Sequence, residues 1–178
     1  MGRRVALRFG AAVGEPMTRI MPIRPEQVSG ARAVMDTVFR ELWDITYDEL
    51  AARYDPLLDM ADPVAYYVEH GGLFLVVEDG AQVVGTGGIL GLGEADAELK
   101  RLWLLPGYRG LGLGWQLTEA LLHHAAKAGY RRVLLEVATP EKQKAAVALY
   151  SRLGFRPIPA YREGPCALAM EKRLRSAG

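Results

Sequence analysis

The sequence predicts an α/β fold in which a mixed β-sheet carries helices on both faces. Three observations predict it. Apolar residues follow helical spacing between about positions 26 and 70, then switch to strand-like runs from Gly72. The pair Asp79-Gly80 splits "LFLVVEDGAQVVGTGGIL" into two β-rich runs, a strong hairpin signal that demands an antiparallel pair. Beyond residue 105, strand-like and helix-like runs alternate. At 178 residues the chain is one domain, long enough to bury a real core.

Each element has a local cause. "TRIMPIRP" reads as a short strand ended by Pro25. In "EQVSGARAVMDTVFRELW" the apolar positions Val28, Ala31, Val34, Met35, Val38 and Leu42 share one helix face. "TYDELAARY" is a second, shorter helix. "DPVAYYVEHGG" is a third, with Asp62 as N-cap, Pro63 in the first turn and Gly71 as stop. The stretch from Asp55 to Asp59 gives no clear signal. After the hairpin, "AELKRLWLL" is a strand stopped by Pro106, and "GWQLTEALLHHAAKAGY" is a helix with Leu113, Leu117, Ala120 and Leu121 as its stripe. "RRVLLEVA" is a buried-type strand, "EKQKAAVALYSRLG" a helix ending at Gly154, and "FRPI" and "CALAMEKRL" are closing strands.

Composition narrows the function. A formal net charge of +1 argues against nucleic acid as an obligate partner, because phosphate binding needs a concentrated basic surface. No apolar run approaches the roughly 18 residues of a membrane span. The single cysteine, Cys166, permits no intramolecular disulfide and no cysteine zinc site, and reads as a small buried side chain. His123 and His124 are adjacent on a helix and point about 100° apart, so they cannot chelate one ion, and no metal is expected. The basic segment "MGRRVALRFGAAVGEPM" reads as a disordered leader over residues 1–17, or as a start placed too early ahead of Met17 or Met21. The domain is then expected over 18–178, with a cytoplasmic location as the default.

The chemistry-bearing stretch is "LLPGYRGLGLGWQL", with Gly110, Gly112 and Gly114 on alternate positions behind Arg109. It sits where a strand hands over to a helix. There the first N–H groups lack intrahelical partners and the dipole favours an anion, so the physics points to a diphosphate. A flexible loop is the plain alternative. A P-loop is excluded because Trp115 and Gln116 stand where Lys-Ser or Lys-Thr is needed. A Rossmann-type site competes, with Glu136 at the end of the next strand, but the last glycine of its motif would fall at Trp115.

"RGLGLG" also resembles the Q/R-x-x-G-x-G/A signature of the GNAT superfamily, the acetyl-CoA-dependent N-acetyltransferases. "ELKRLWLLPGYRGLGLG", "GYRRVLLEV", "AAVALYSRLGFRPI" and "ALAMEKRL" follow in that family's order and spacing, over about residues 72 to 174. The resemblance implies a single-domain, mostly antiparallel central sheet flanked by helices, with acetyl-CoA as co-substrate. It implies that the backbone from Arg109 through Gly110, Leu111, Gly112, Leu113 and Gly114 holds the diphosphate of coenzyme A. It also implies that the free strand edge at Leu102, Trp103 and Leu104 pairs with the pantetheine arm. The Trp103 side chain itself reads as an ordinary sheet-face aromatic.

Tyr150 matches the tyrosine such proteins place near the sulfur, where a phenol can protonate a departing thiolate. Its other reading is a core tyrosine beside Ala146, Val147 and Leu149. Seven positions earlier, Gln143 replaces the usual pantetheine-binding asparagine. The base is open among Glu98, Glu136, Glu94 and ordered water, and Glu98 also reads as paired with Lys100 or Arg101 at an exposed strand position. Tyr161 and Arg162 could hold an acceptor's ring or carboxylate, or belong to a solvated loop. Three functions remain: acetyl transfer to a small or amino-acid-like amine, transfer to a protein N-terminus or lysine, or acyl-CoA binding without turnover. A homodimer through the closing strands is a further option the resemblance implies.

Overall fold

The computed structural model describes residues 18–54 and 58–174; the leader expected over residues 1–17 lies outside the described residues. The chain runs β1 (Thr18–Pro22), α1 (Val28–Trp43), α2 (Tyr47–Tyr54), α3 (Pro63–Glu69), β2 (Leu73–Asp79), β3 (Gln82–Gly91), β4 (Asp96–Leu104), α4 (Leu113–Lys127), β5 (Arg132–Val137), α5 (Lys144–Arg152), β6 (Arg156–Ile158) and β7 (Leu168–Arg173). The strands form a seven-stranded sheet in the order β1-β2-β3-β4-β5-β7-β6. Every junction is antiparallel except β4–β5, which is parallel. Mixed sheet and two-sided cover match the expectation from sequence.

Local chemistry sets the boundaries. Asp79 pairs with Gln82, so the two-residue hairpin turn is Gly80-Ala81, one position later than Asp79-Gly80 suggested. Gly80 supplies the positive φ (61°) there. Thr46 and Glu49 form a reciprocal cap on α2, with Thr46 N–H donating to Glu49 Oε2 at 2.7 Å and Glu49 N–H to Thr46 Oγ1 at 3.2 Å. Asp62 caps α3 by accepting from Ala65 N–H at 3.0 Å.

The sheet divides two cores. Leu75, Val77, Ile89, Leu99, Val133 and Leu135 face α4 and α5, where they meet Leu117, Leu121 and Tyr150. Phe74, Val76, Val83 and Leu90 face α1 and α3, where they meet Met35, Phe39 and Tyr67. This two-sided burial explains why the β2 run "LFLVV" is apolar without alternation. Gly88 admits the second core: a Cβ there would lie 2.5 Å from the Tyr67 ring.

One irregularity positions the site. Thr86 pairs with Trp103 and Gly88 with Lys100, so β4 carries one extra residue, and Arg101 takes a left-handed φ of 56°. The bulge is held from both sides. Thr86 Oγ1 donates to Arg101 O at 2.7 Å, and the Arg101 guanidinium forks onto Asp59 with both contacts at 2.9 Å. Tyr67 O–H also donates to Asp59, at 2.9 Å. Asp59 sits in the short turn Leu58–Met60 between α2 and α3. The helical cover on this face is therefore pinned to the irregular point of β4.

Candidate active site

β4 and β5 pair only from Asp96 to Glu98 on β4, after which they part. The β4 edge at Leu102, Trp103 and Leu104 therefore has no β5 partner. Into the same gap comes the glycine turn. Gly110 and Gly112 have φ of 76° and 81°, with Gly112 as the N-cap of α4, and both need glycine for that conformation. Gly114 has a different role. A Cβ there would stand 3.3 Å from Leu149 of α5, so this glycine lets two helices approach. The first intrahelical bond runs from Gln116 N–H to Gly112 O at 3.1 Å, which leaves the N–H groups of Leu113, Gly114 and Trp115 without helical acceptors.

These parts enclose a cleft of about 580 Å³, lined by Leu102, Trp103, Leu104, Arg109, Gly110, Gly112 and Gly114 on one wall and Gln143, Ala146 and Leu149 on the other. The expected cofactor residues thus converge, except that Leu111 is exposed and Leu113 is buried in the core. Three cations line the cleft, Arg109, Lys142 and Arg152, against one carboxylate, Glu41. Free N–H groups, absent side chains and cations fit a diphosphate-bearing ligand.

Arg152 stacks over the Trp115 ring at 5.4 Å, and the other two cations are held by oxygen acceptors. Arg109 donates from Nε to Leu104 O at 3.0 Å and grips Glu41 of α1 at 2.7 and 2.6 Å, which lowers the Glu41 carboxyl pKa. Lys142 donates to Leu42 O at 2.6 Å. Gln143 closes its own loop, its Oε1 accepting from Thr139 N–H at 3.0 Å. Trp103 is the sheet-face aromatic expected, packed edge-on against Phe39 (5.8 Å) and Trp43 (6.1 Å), and its buried Nε1 has no partner among the described residues.

Tyr150 packs against Phe155 in the core on the α4–α5 side (5.8 Å), and burial raises its phenol pKa. It does not belong to the cleft lining. The glutamates sit deeper than expected. Glu98 is only 2% exposed, which corrects the reading of an exposed strand residue paired to Arg101; Arg101 is spent on Asp59. Glu98 instead accepts from Tyr161 O–H at 2.8 Å and from Arg162 Nη2 at 2.5 Å, with Lys100 Nζ at 3.6 Å. Arg162 also binds Glu136, through Nε at 2.7 Å and through Nη2. Tyr161 and Arg162 are therefore not a solvated loop: the β6–β7 connection folds them over both glutamates. Burial, and then the Glu98 charge, raise the Tyr161 phenol pKa. Cys166 is half-buried beside this group rather than in the core, its thiol pKa raised by burial and then by Glu136. Glu94 is exposed at the β3–β4 turn and joins neither group.

A larger depression of about 980 Å³ lies between α1 and the β2–β3 turn. Its carboxylates are already used: Glu78 accepts from Arg24 (3.3 Å) and Gln27, and Asp79 from Tyr108 O–H (2.8 Å). None of the expected site residues lines it. Among the described residues no group of His, Cys, Asp and Glu could hold a metal, and no helix is long and apolar enough to cross a membrane.

Residues 35–155 match the acetyltransferase (GNAT) family. The chain is 38% identical over 119 residues to the uncharacterized N-acetyltransferase YjgM of Escherichia coli, a match covering 65% of this chain and 69% of that one. It is 38% identical over 109 residues to rat N-acetyltransferase 8B, covering 58% of this chain and only 48% of the relative, so the match spans about half that protein's length. The PaiA N-acetyltransferase of Thermoplasma acidophilum, solved in complex with coenzyme A, shares the fold at 18% identity, with a TM-score of 0.72 over 88% of this chain and 99% of that one. The chain belongs to the acetyltransferase (GNAT) family.

Proposed function

We propose that the protein acetylates a primary amine of a small molecule by direct attack while acetyl-CoA and acceptor are bound together. The observation that carries this is the convergence of the β4 edge, the glycine turn and α5 on one cleft, with two buried glutamates on the opposite face of the sheet junction. In this reading the N–H groups at the start of α4 hold the diphosphate, and the unpaired β4 edge aligns the pantetheine arm. Bound there, acetyl-CoA supplies the activated acetyl group.

The chain's own residues then handle protons. An alkyl ammonium, with a pKa near ~10, must lose a proton before it can attack. Glu98 takes that proton, with Glu136 as the alternative acceptor. The freed lone pair forms the C–N bond, the C–S bond breaks, and the Tyr150 hydroxyl protonates the thiolate. The nitrogen's second proton leaves to solvent, and the proton held by Glu98 is exchanged through solvent to restore the Tyr150 hydroxyl. Glu98 and Glu136 lie under Tyr161 and Arg162, which favours an acceptor that presents its amine on a slim chain. Free thiol released from acetyl-CoA with a panel of small amines, compared with peptides bearing a free N-terminus or lysine, tests the reading. Faster turnover with the small amines is expected, and turnover with peptides alone would reverse it.

A further inference from the structure

Arg162 occupies the space between Glu98 and Glu136 as a ligand would. Its Nη2 donates to Glu98 Oε1 at 2.5 Å and its Nη1 to Glu98 Oε2 at 3.2 Å. Its Nε donates to Glu136 Oε2 at 2.7 Å, and Nη2 reaches the same oxygen. The guanidinium also lies 5.3 Å from the Tyr161 ring. The two carboxylates are fixed on neighbouring strands and are 2% and 9% exposed, whereas Arg162 is 42% exposed and stands on the irregular β6–β7 connection. The carboxylates are the built part of this arrangement, and the cation is the movable part.

Charge then restricts what can replace it. Lys100 is the other cation at the group, 3.6 Å from Glu98, while Tyr161 and Cys166 are neutral. Two anions meet two cations while Arg162 is in place, so its withdrawal leaves one buried negative charge uncompensated. A buried unpaired charge is costly, and the entering group must bring a positive one. An acceptor carboxylate would have to share a guanidinium that two fixed carboxylates already hold, placing three like charges around it.

We infer that Arg162 is an internal stand-in for the acceptor, and that the acceptor is a cationic amine with no carboxylate near its reacting nitrogen. The inference rests on the placement of the acceptor at Glu98 and Glu136 proposed above. It replaces the amino-acid-like acceptor and the carboxylate-holding role for Arg162 that the sequence suggested. Binding begins when the loop withdraws Arg162 and the acceptor's ammonium takes its donor positions. The same carboxylate that attracts the ammonium is then placed to take its proton.

Calorimetric titration of the full chain in the presence of coenzyme A tests this, with methylguanidine as a mimic of the Arg162 side chain. Methylguanidine should bind R162Q at least about tenfold more tightly than wild type, the size of one charge-assisted hydrogen bond lost by the competing side chain. Putrescine should displace it and γ-aminobutyrate should not. R162K keeps a cation for the glutamates but loses the fork, and covers the case in which R162Q does not fold. Its affinity for methylguanidine should lie between those of wild type and R162Q. In wild type, kcat/KM should be higher with putrescine and with butylamine than with γ-aminobutyrate. Equal methylguanidine affinity in all folded forms would overturn the inference. So would a wild-type preference for γ-aminobutyrate that R162Q abolishes. Melting with coenzyme A separates the two levels: absence of a coenzyme-induced rise in wild type refutes the cofactor assignment, whereas failure of the Arg162 inference alone leaves that rise intact.

Discussion

Removing the Tyr150 hydroxyl while keeping its ring separates a chemical role from a packing one. Tyr150→Phe preserves the contact with Phe155, so the fold and coenzyme affinity should survive. If the phenol protonates the thiolate, kcat should fall by roughly 10²–10⁴-fold, the usual worth of general acid catalysis. Unchanged kcat, with chemistry rate-limiting, would leave Tyr150 a core residue. Glu98→Gln tests the base in the same assay. It should lower kcat/KM more than Glu136→Gln does, and the deficit should shrink at high pH, where the free amine needs no protein base. Identical pH profiles in both variants and wild type would assign deprotonation to water. Residue identities were legible here, but their partners were not. Nothing local in "AYREG" announces that Arg162 meets a glutamate 64 positions earlier, because that contact depends on how β4, β5 and the closing loop stack. The glycines were read with one structural cause too few: Gly110 and Gly112 supply positive φ, while Gly114 makes room for Leu149.

At the scale of elements, the strands, helices and hairpin followed from periodicity and turn chemistry, which are local properties of the chain. The β4 bulge did not. Arg101 is not a residue that seeks a left-handed φ, and its conformation is held by Asp59, which lies in the stretch that gave no sequence signal. This contact joins the α2–α3 turn to the strand whose free edge faces the cleft, and its energetics are testable by pH. Burial alone would raise the Asp59 carboxyl pKa, but the Arg101 fork and charge outweigh it and leave the folded-state pKa lowered. Stability from this pair is therefore complete above the unfolded value of about 3.9 and is lost as pH falls through the folded one. Asp59→Asn leaves Arg101 buried without its counter-ion and should cost about 3–5 kcal/mol near neutral pH. Denaturant midpoints of wild type and variant should converge as pH approaches the acid limb. A constant gap down to pH 2 would show that the effect is steric rather than ionic.

For the molecule as a whole, the sheet separates two tasks. The cleft suited to the coenzyme opens where β4 and β5 part, lined by Val38, Glu41 and Leu42 of α1 as well as by residues of α4 and α5, whereas Glu98 and Glu136 alternate along β4 and β5 with residues of the α4–α5 core and so face the other side of the sheet. The family resemblance located this division in the chain, since its motifs cover the half that builds the cleft. The acceptor side had less of a guide, because the resemblance covers about residues 72 to 174 and leaves out α1 and α3. The central claim is that the glycine turn at the start of α4 binds coenzyme A, and melting of the protein with acetyl-CoA tests it most directly. A native-state ligand at 100 times its dissociation constant adds about 2.7 kcal/mol, and a chain of this size gains about 2–4 °C per kcal/mol. Acetyl-CoA should therefore raise the melting temperature by several degrees in wild type and not in Gly112→Val, whose side chain a φ of 81° does not accommodate. A rise produced by NAD or S-adenosylmethionine but not by acetyl-CoA would contradict the account.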